Sequence, residues 1–181
     1  MINSVAFSPD GTILATGDGK GVVQLWNVAT HKQIPAIHTP GPVYTVAFSP
    51  DGRILASGGV GGSQQVQLWD VATSRQIGAL SDDQTWDINS VAFSPDGSTI
   101  ATGGSDDTAR LWDVATRQEI GAPLSVDTGT VSSVAFSPNG QVLATGSFDG
   151  RVRLWDVATG QQIGEPLTDG RRRPRRAMTG G

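Results

Sequence analysis

The 181-residue chain contains no cysteine, which removes disulfide frameworks, thiolate metal sites and cysteine nucleophiles together. No apolar run approaches the roughly 20 residues needed to cross a bilayer, so no membrane insertion is expected. The opening MINSVAFSPDG lacks a basic region followed by an apolar stretch, so a signal peptide is not expected and a cytoplasmic protein is. Positive charge is scarce over most of the chain. Five of the thirteen basic residues (Arg171, Arg172, Arg173, Arg175 and Arg176) fall in the last eleven positions, leaving eight basic against seventeen acidic residues in 1–170, a net charge of −9. An acidic body suits nucleic acid poorly, because neutralising phosphates requires Lys and Arg on one surface. Any nucleic-acid contact is therefore expected to be weak and confined to the Arg171–Arg176 run. Apart from such contacts, that run is expected to be a disordered end.

What the chain has in abundance is one phrase. LWNVATHKQIP (25–35), LWDVATSRQIG (68–78), LWDVATRQEIG (111–121) and LWDVATGQQIG (154–164) place Trp26, Trp69, Trp112 and Trp155 at intervals of 43 residues. A fixed period of this length marks an architecture of stacked units and outranks any local motif. Each unit holds four short strand candidates, in the last copy SVAFS, QVLATG, RVRLWDV and the weaker QQIGEPL. They are rich in β-branched or aromatic residues and bounded by turn residues, which predicts an antiparallel meander. SPDG (SPNG at 137–140) sets Pro and Gly where a tight hairpin needs them. In the DVATG turn, Asp156 can accept from backbone amides ahead of it. Gly160 of that turn becomes His31, Ser74 and Arg117 elsewhere, at a modest steric cost if the position is left-handed. Pro35, Pro123 and Pro166 place the fourth strand at a sheet edge, since proline cannot donate to a ladder. Four strands with a small-residue inner strand and a proline-bearing outer one describe a propeller blade.

The pattern SVAFSPDG…LATGS.DG.VRLWDVATG resembles the WD40 repeat over about residues 2–168. Trp69-Asp70, Trp112-Asp113 and Trp155-Asp156 match the dipeptide that names the family, while Trp26-Asn27 departs from it. The wording is similar to that of recently duplicated bacterial arrays. The implied fold is all-β: a β-propeller of four four-stranded antiparallel blades, as an open partial propeller, half of a larger ring, or a small closed ring. The units divide at about 1–42, 43–87, 88–130 and 131–168, with a basic tail, 169–181, expected to be disordered.

The resemblance also implies a hydrogen-bonded tetrad of Trp, strand Ser/Thr, turn Asp and a His from a Gly-His pair. The Trp and the hydroxyl (Thr16, Ser57, Thr102, Thr145) occur in every copy. The Asp occurs only as Asp106 and Asp149, and the Gly-His pair is missing throughout, Val126-Asp127 standing where one would be in the third connection. Packing around the tryptophans is therefore expected to dominate. Trp69 and Trp112, in middle units, are expected to contribute more than Trp155 in the last.

Enzyme signals are thin. GDGKG (17–21) has the look of a phosphate loop but lies between two strands with no helix after it, and reads as a hairpin turn. The pairs Asp82-Asp83 and Asp106-Asp107 fall in turns without metal-loop spacing. His31 and His38 lie in different parts of the repeat, and no Ser-His-Asp set can be built. No catalytic residue, metal site or cofactor is assigned, and the chain is read as a non-enzyme.

Recognition is better supported. SPDG and DVAT hardly vary between copies, whereas the loops at the other end of each unit do, and variable loops on a rigid scaffold suit binding. By the resemblance, the second residue of each first strand rings the channel mouth: Asn3, Tyr44, Asn89 and Ser132. Ser105 and Phe148 point to the same face. Trp86, the one Trp outside the repeat position, is either an interface anchor or a ring folded back on a neighbouring blade. The expected function is a scaffold or adaptor binding proteins or peptides, part of a bacterial regulatory or signalling protein, with self-association into a paired ring possible. The alternatives are a propeller that binds a small ligand or acts as an enzyme through its channel mouth, and a truncated fragment with no independent function.

Overall fold

A computed structural model describes residues 1–60, 66–81, 86–127 and 129–168. The insertion around VGGSQQ, the Asp82-Asp83 pair and the basic tail fall mostly or wholly outside these residues. The described residues form strands and turns with no helix. Four four-stranded antiparallel sheets follow one another along the chain. The first blade comprises β1 (Ile2–Phe7), β2 (Ile13–Asp18), β3 (Val22–Asn27) and β4 (Lys32–His38). The second has β5 (Val43–Phe48), β6 (Ile54–Gly59), β7 (Val66–Asp70) and β8 (Arg75–Leu80). The third has β9 (Ile88–Phe93), β10 (Thr99–Gly104), β11 (Thr108–Asp113) and β12 (Leu124–Ser125). The fourth has β13 (Val131–Phe136), β14 (Val142–Ser147), β15 (Arg151–Asp156) and β16 (Leu167–Thr168). The innermost strands β1, β5, β9 and β13 lie side by side in that order.

The two turn phrases act as the sequence predicts. In SPDG, the buried Ser8 hydroxyl donates to Asp10 Oδ1 (2.6 Å) and accepts from the Ile13 amide (2.9 Å), while Gly11 takes φ +70°. In DVAT, Asp70 Oδ1 accepts from both the amide (2.8 Å) and the hydroxyl (2.6 Å) of Thr73. Asn27 makes the same two bonds to Thr30 at 2.9 and 2.8 Å, so its departure from the family dipeptide leaves the turn unchanged. The turn position held by His31, Ser74, Arg117 and Gly160 is left-handed in all four copies, at φ 55°, 54°, 63° and 67°.

The fourth strands are the edge strands; Pro35 lies within β4, Pro123 and Pro166 directly precede β12 and β16, and β8 has no proline. In the last two blades they are shorter than the repeat suggests, reduced to two residues plus an isolated bridge at Glu119 or Gln162. These copies read IGAPL and IGEPL where the second reads IGAL. The extra residue is accommodated by Gly121 and Gly164 at positive φ, which breaks the ladder.

Burial is organised between blades. Trp69 packs with Ala15, Val23, Leu25 and Ile37 of the first blade. Trp112 packs with Ala56, Val66, Leu68 and Leu80 of the second, and Trp155 with Ala101, Ala109, Leu111 and Leu124 of the third. Each tryptophan thus covers the blade before its own. The terminal position in the packing is consequently Trp26, which is only half-buried, and not Trp155, which is buried. Among the described residues no comparable packing joins the fourth blade to the first, so the small closed ring is not formed.

Candidate site at the bulged ends of the inner strands

Each inner strand carries one β-bulge near its start. Ile2 pairs with Asp18 and Ser4 with Gly17, leaving Asn3 as the extra residue; Tyr44, Asn89 and Ser132 occupy the same place in the other blades. A bulge turns its residue out of the alternation of the sheet, which is a means of re-aiming a side chain. The four channel-mouth candidates are therefore equivalent by register. Asn3 Nδ2 donates to Val43 O (2.9 Å) and Asn89 Nδ2 to Val131 O (3.3 Å), each reaching the start of the next inner strand. Ser132 Oγ donates within its own blade, to Gly146 O (3.1 Å). Tyr44 remains 38% exposed.

The turns between second and third strands rise at the same end. Ser105 is exposed and its Oγ accepts from the Asp87 amide (3.1 Å). Phe148 is 78% exposed. Trp86 is half-buried, with the Arg110 guanidinium 5.8 Å from its ring centroid. That cation–π contact holds the indole against the third blade. GDGKG is the hairpin turn expected of it: Asp18 Oδ1 accepts from the Lys20 and Val22 amides, which hold its carboxyl below the ordinary aspartate range.

Beneath this surface lie two arginines that sequence reasoning passed over. The Arg153 side chain is 1% exposed, with Nη2 2.9 Å from Asp149 Oδ2 and 3.4 Å from Asp127 Oδ2, and Nη1 donating to Ser147 Oγ (3.3 Å). Arg110 Nη1 lies 2.7 Å from Asp106 Oδ2, and Nε 3.4 Å from Glu119 Oε1. The signal was present in the repeat: only the two copies with the turn Asp carry Arg four residues later, where the others have Gln24 and Gln67. A buried arginine thus partners the turn aspartate in place of the implied histidine. Burial pushes the Asp149 carboxyl up. The Ser147 and Arg153 side chains and the Arg151 amide outweigh that effect and hold it below the ordinary value. The Trp–hydroxyl half of the tetrad is intact, with indole N–H donating at 2.8 Å to Ser57, 3.0 Å to Thr102, 3.0 Å to Thr145 and a longer 3.4 Å to Thr16.

The surface so built offers amide, hydroxyl and aromatic groups on a stiff base. No group of three or more His, Asp or Glu is placed to hold a metal among the described residues, and no helix there is long and apolar enough to cross a membrane. Fold and site together define an open β-propeller segment of four blades with one elaborated face. The family model for the WD domain, G-beta repeat matches residues 1–27, 32–70, 74–113 and 121–156, and the chain belongs to the WD40 repeat family. It is also similar to an uncharacterized WD repeat-containing protein of Nostoc sp., 55% identical over 31 residues. That match covers 17% of this chain and 2% of the relative.

Proposed function

We propose that the chain is a non-catalytic scaffold whose bulged face binds a protein or peptide segment, within a cytoplasmic bacterial regulatory or signalling protein. WD40 repeats generally mediate protein–protein interaction. The observation that carries the reading for this chain is the exposure of Phe148 and Tyr44 beside polar residues held in register by four bulges. Aromatic anchors on a rigid base lose little conformational entropy when a partner covers them. The neutral amides and hydroxyls at Asn3, Asn89, Ser105 and Ser132 suit the backbone of an extended peptide. We include self-association in the same reading, and the exposure of Ile2, Val5, Val152 and Leu167 on the first and last blades supports it.

The test is selection from a displayed random-peptide library on the immobilised full chain, followed by fluorescence anisotropy with the enriched peptides. Tyr44→Ala and Phe148→Ser are expected to weaken binding about tenfold or more, the scale of losing one aromatic anchor. Asp113→Asn, in a turn at the opposite end, is expected to leave it unchanged. Binding that ignores both aromatic substitutions would remove the bulged face as the site.

A further inference from the structure

Three times over, one blade is joined to the next by the same set of contacts. The hydroxyl at the third position of an inner strand accepts the amide at the fourth position of the next one: Val46 N–H to Ser4 (3.1 Å), Val91 N–H to Thr45 (3.2 Å) and Val134 N–H to Ser90 (3.1 Å). A glycine opposite that hydroxyl makes room for the next blade. A Cβ at Gly17, Gly58 or Gly103 would come within 2.5, 2.7 or 2.6 Å of Val43, Ile88 or Val131. The turn between third and fourth strands adds an outer contact, Ser74 Oγ donating to Pro35 O (3.3 Å) and Arg117 lying over Gly78.

Each of these features exists once more with its two halves apart. At the end of the array Ser133 is exposed, and a Cβ at Gly146 would meet only Ser133 Cβ at 3.9 Å. Val152 and Leu167 are 39% and 55% exposed, although their counterparts Val23, Val66, Ala109, Ile37, Leu80 and Leu124 are at most 4% exposed. At the start, Ile2 and Val5 are 56% and 63% exposed, whereas Val43, Ile88 and Val131 are at most 2% and Val46, Val91 and Val134 at most 7%. Val5 has no hydroxyl acceptor from a preceding blade among the described residues. Two apolar faces of this kind are uncommon on a soluble monomer.

We infer that the first blade of one chain seats on the fourth blade of a second copy, with Ile2 over Gly146 and the Val5 amide donating to Ser133, and that two such junctions close a ring of two chains. The inference rests on the self-association part of the proposed function and is independent of peptide binding. The occupant is set by the repeat: a second copy supplies the same strand, register and hydroxyl that each internal junction already uses. The contact is head-to-tail, so it satisfies every face only when the ring closes.

The test uses the full chain at micromolar concentration. Sedimentation velocity is expected to give twice the 18.8 kDa of one chain. Gly146→Val, whose Cβ has only Ser133 Cβ nearby at 3.9 Å in the single chain but would collide with Ile2 at the junction, is expected to weaken pairing more than about tenfold. Its circular dichroism should stay unchanged. Because the chain has no cysteine, Ile2→Cys with Gly146→Cys is expected to give a disulfide-linked dimer, whereas neither single variant should. A monomeric mass at every concentration, a ladder of larger multiples, or pairing untouched by Gly146→Val would overturn the inference. Loss of peptide binding with pairing intact would instead defeat only the proposed binding face.

Discussion

The four tryptophans occupy one sequence position and two environments. Trp69, Trp112 and Trp155 are 6%, 1% and 6% exposed beneath the preceding blade, while Trp26 has no blade before it and is only half-buried. Tryptophan-to-alanine changes at the three buried positions are expected to cost about 3–5 kcal/mol each. Trp26→Ala should cost clearly less, in urea unfolding at concentrations where single chains prevail. Equal losses at Trp26 and Trp69 would contradict the packing direction. The buried arginines give a second prediction at this scale. Asp149→Asn is expected to destabilise by roughly 3 kcal/mol, because it leaves the Arg153 charge buried; Asp127, on the exposed side, cannot make up for it. Adding Arg153→Gln, which reproduces the uncharged arrangement of Gln67, should recover part of the loss. A double-mutant cycle measures the coupling. The turn aspartates give a third. Asp10, Asp51 and Asp96 are held below their ordinary value chiefly by serine hydroxyls, and Asp70, Asp113 and Asp156 by threonine hydroxyls and amides. Folding lowers these values, so the unfolded chain binds more protons in acid. Their contribution is whole above about pH 4 and declines as pH falls through the folded values. Replacing Asp70, Asp113 and Asp156 together by Asn, the residue already at Asn27, should flatten the fall in melting temperature on acidification. A slope that persists unchanged would assign the acid sensitivity elsewhere.

At the scale of strands and blades, the inner-strand glycines and bulges form one device. The bulge takes Asn3, Tyr44, Asn89 or Ser132 out of the alternation of the sheet, and the glycine opposite the following residue admits the next blade. The cost of filling that space depends on which blade follows. Gly58→Ala and Gly103→Ala force a methyl into Ile88 or Val131 and are expected to cost about 1–3 kcal/mol. Gly146→Ala meets only Ser133 Cβ, at an ordinary 3.9 Å, in the single chain and should be neutral or slightly stabilising, since alanine restricts the unfolded chain. Thermal melts of dilute protein distinguish them, and a large loss at Gly146 would mean that its face is already covered.

Over the whole molecule, stability is carried by three inter-blade cores rather than by a single centre. Such an array should open from its ends, where one face of a blade is uncovered. Amide exchange in dilute protein is therefore expected to be faster in β1 and β16 than in the equivalent β5, β9, β8 and β4. Uniform protection across all four blades would indicate that the end faces are buried.

The tryptophan interval and the two turn phrases determined the number of blades and the strand order, because these depend on local conformation and hydrogen bonding; that the position of His31, Ser74, Arg117 and Gly160 is left-handed was left open by the sequence and decided by the structure. The candidate face was legible in part. Asn3, Tyr44, Asn89 and Ser132 share a repeat position, but that they share a bulge follows from how β1, β5, β9 and β13 pair with their second strands. The pairing of Arg110 with Asp106 and Arg153 with Asp149 was visible only as residues that change together between copies; without depth, an arginine in a strand reads as exposed. The direction of packing was not legible at all. Four nearly identical phrases cannot say whether a tryptophan covers the blade before it or after it, and that choice, made only when the blades stack, exposes Trp26 and buries Trp155.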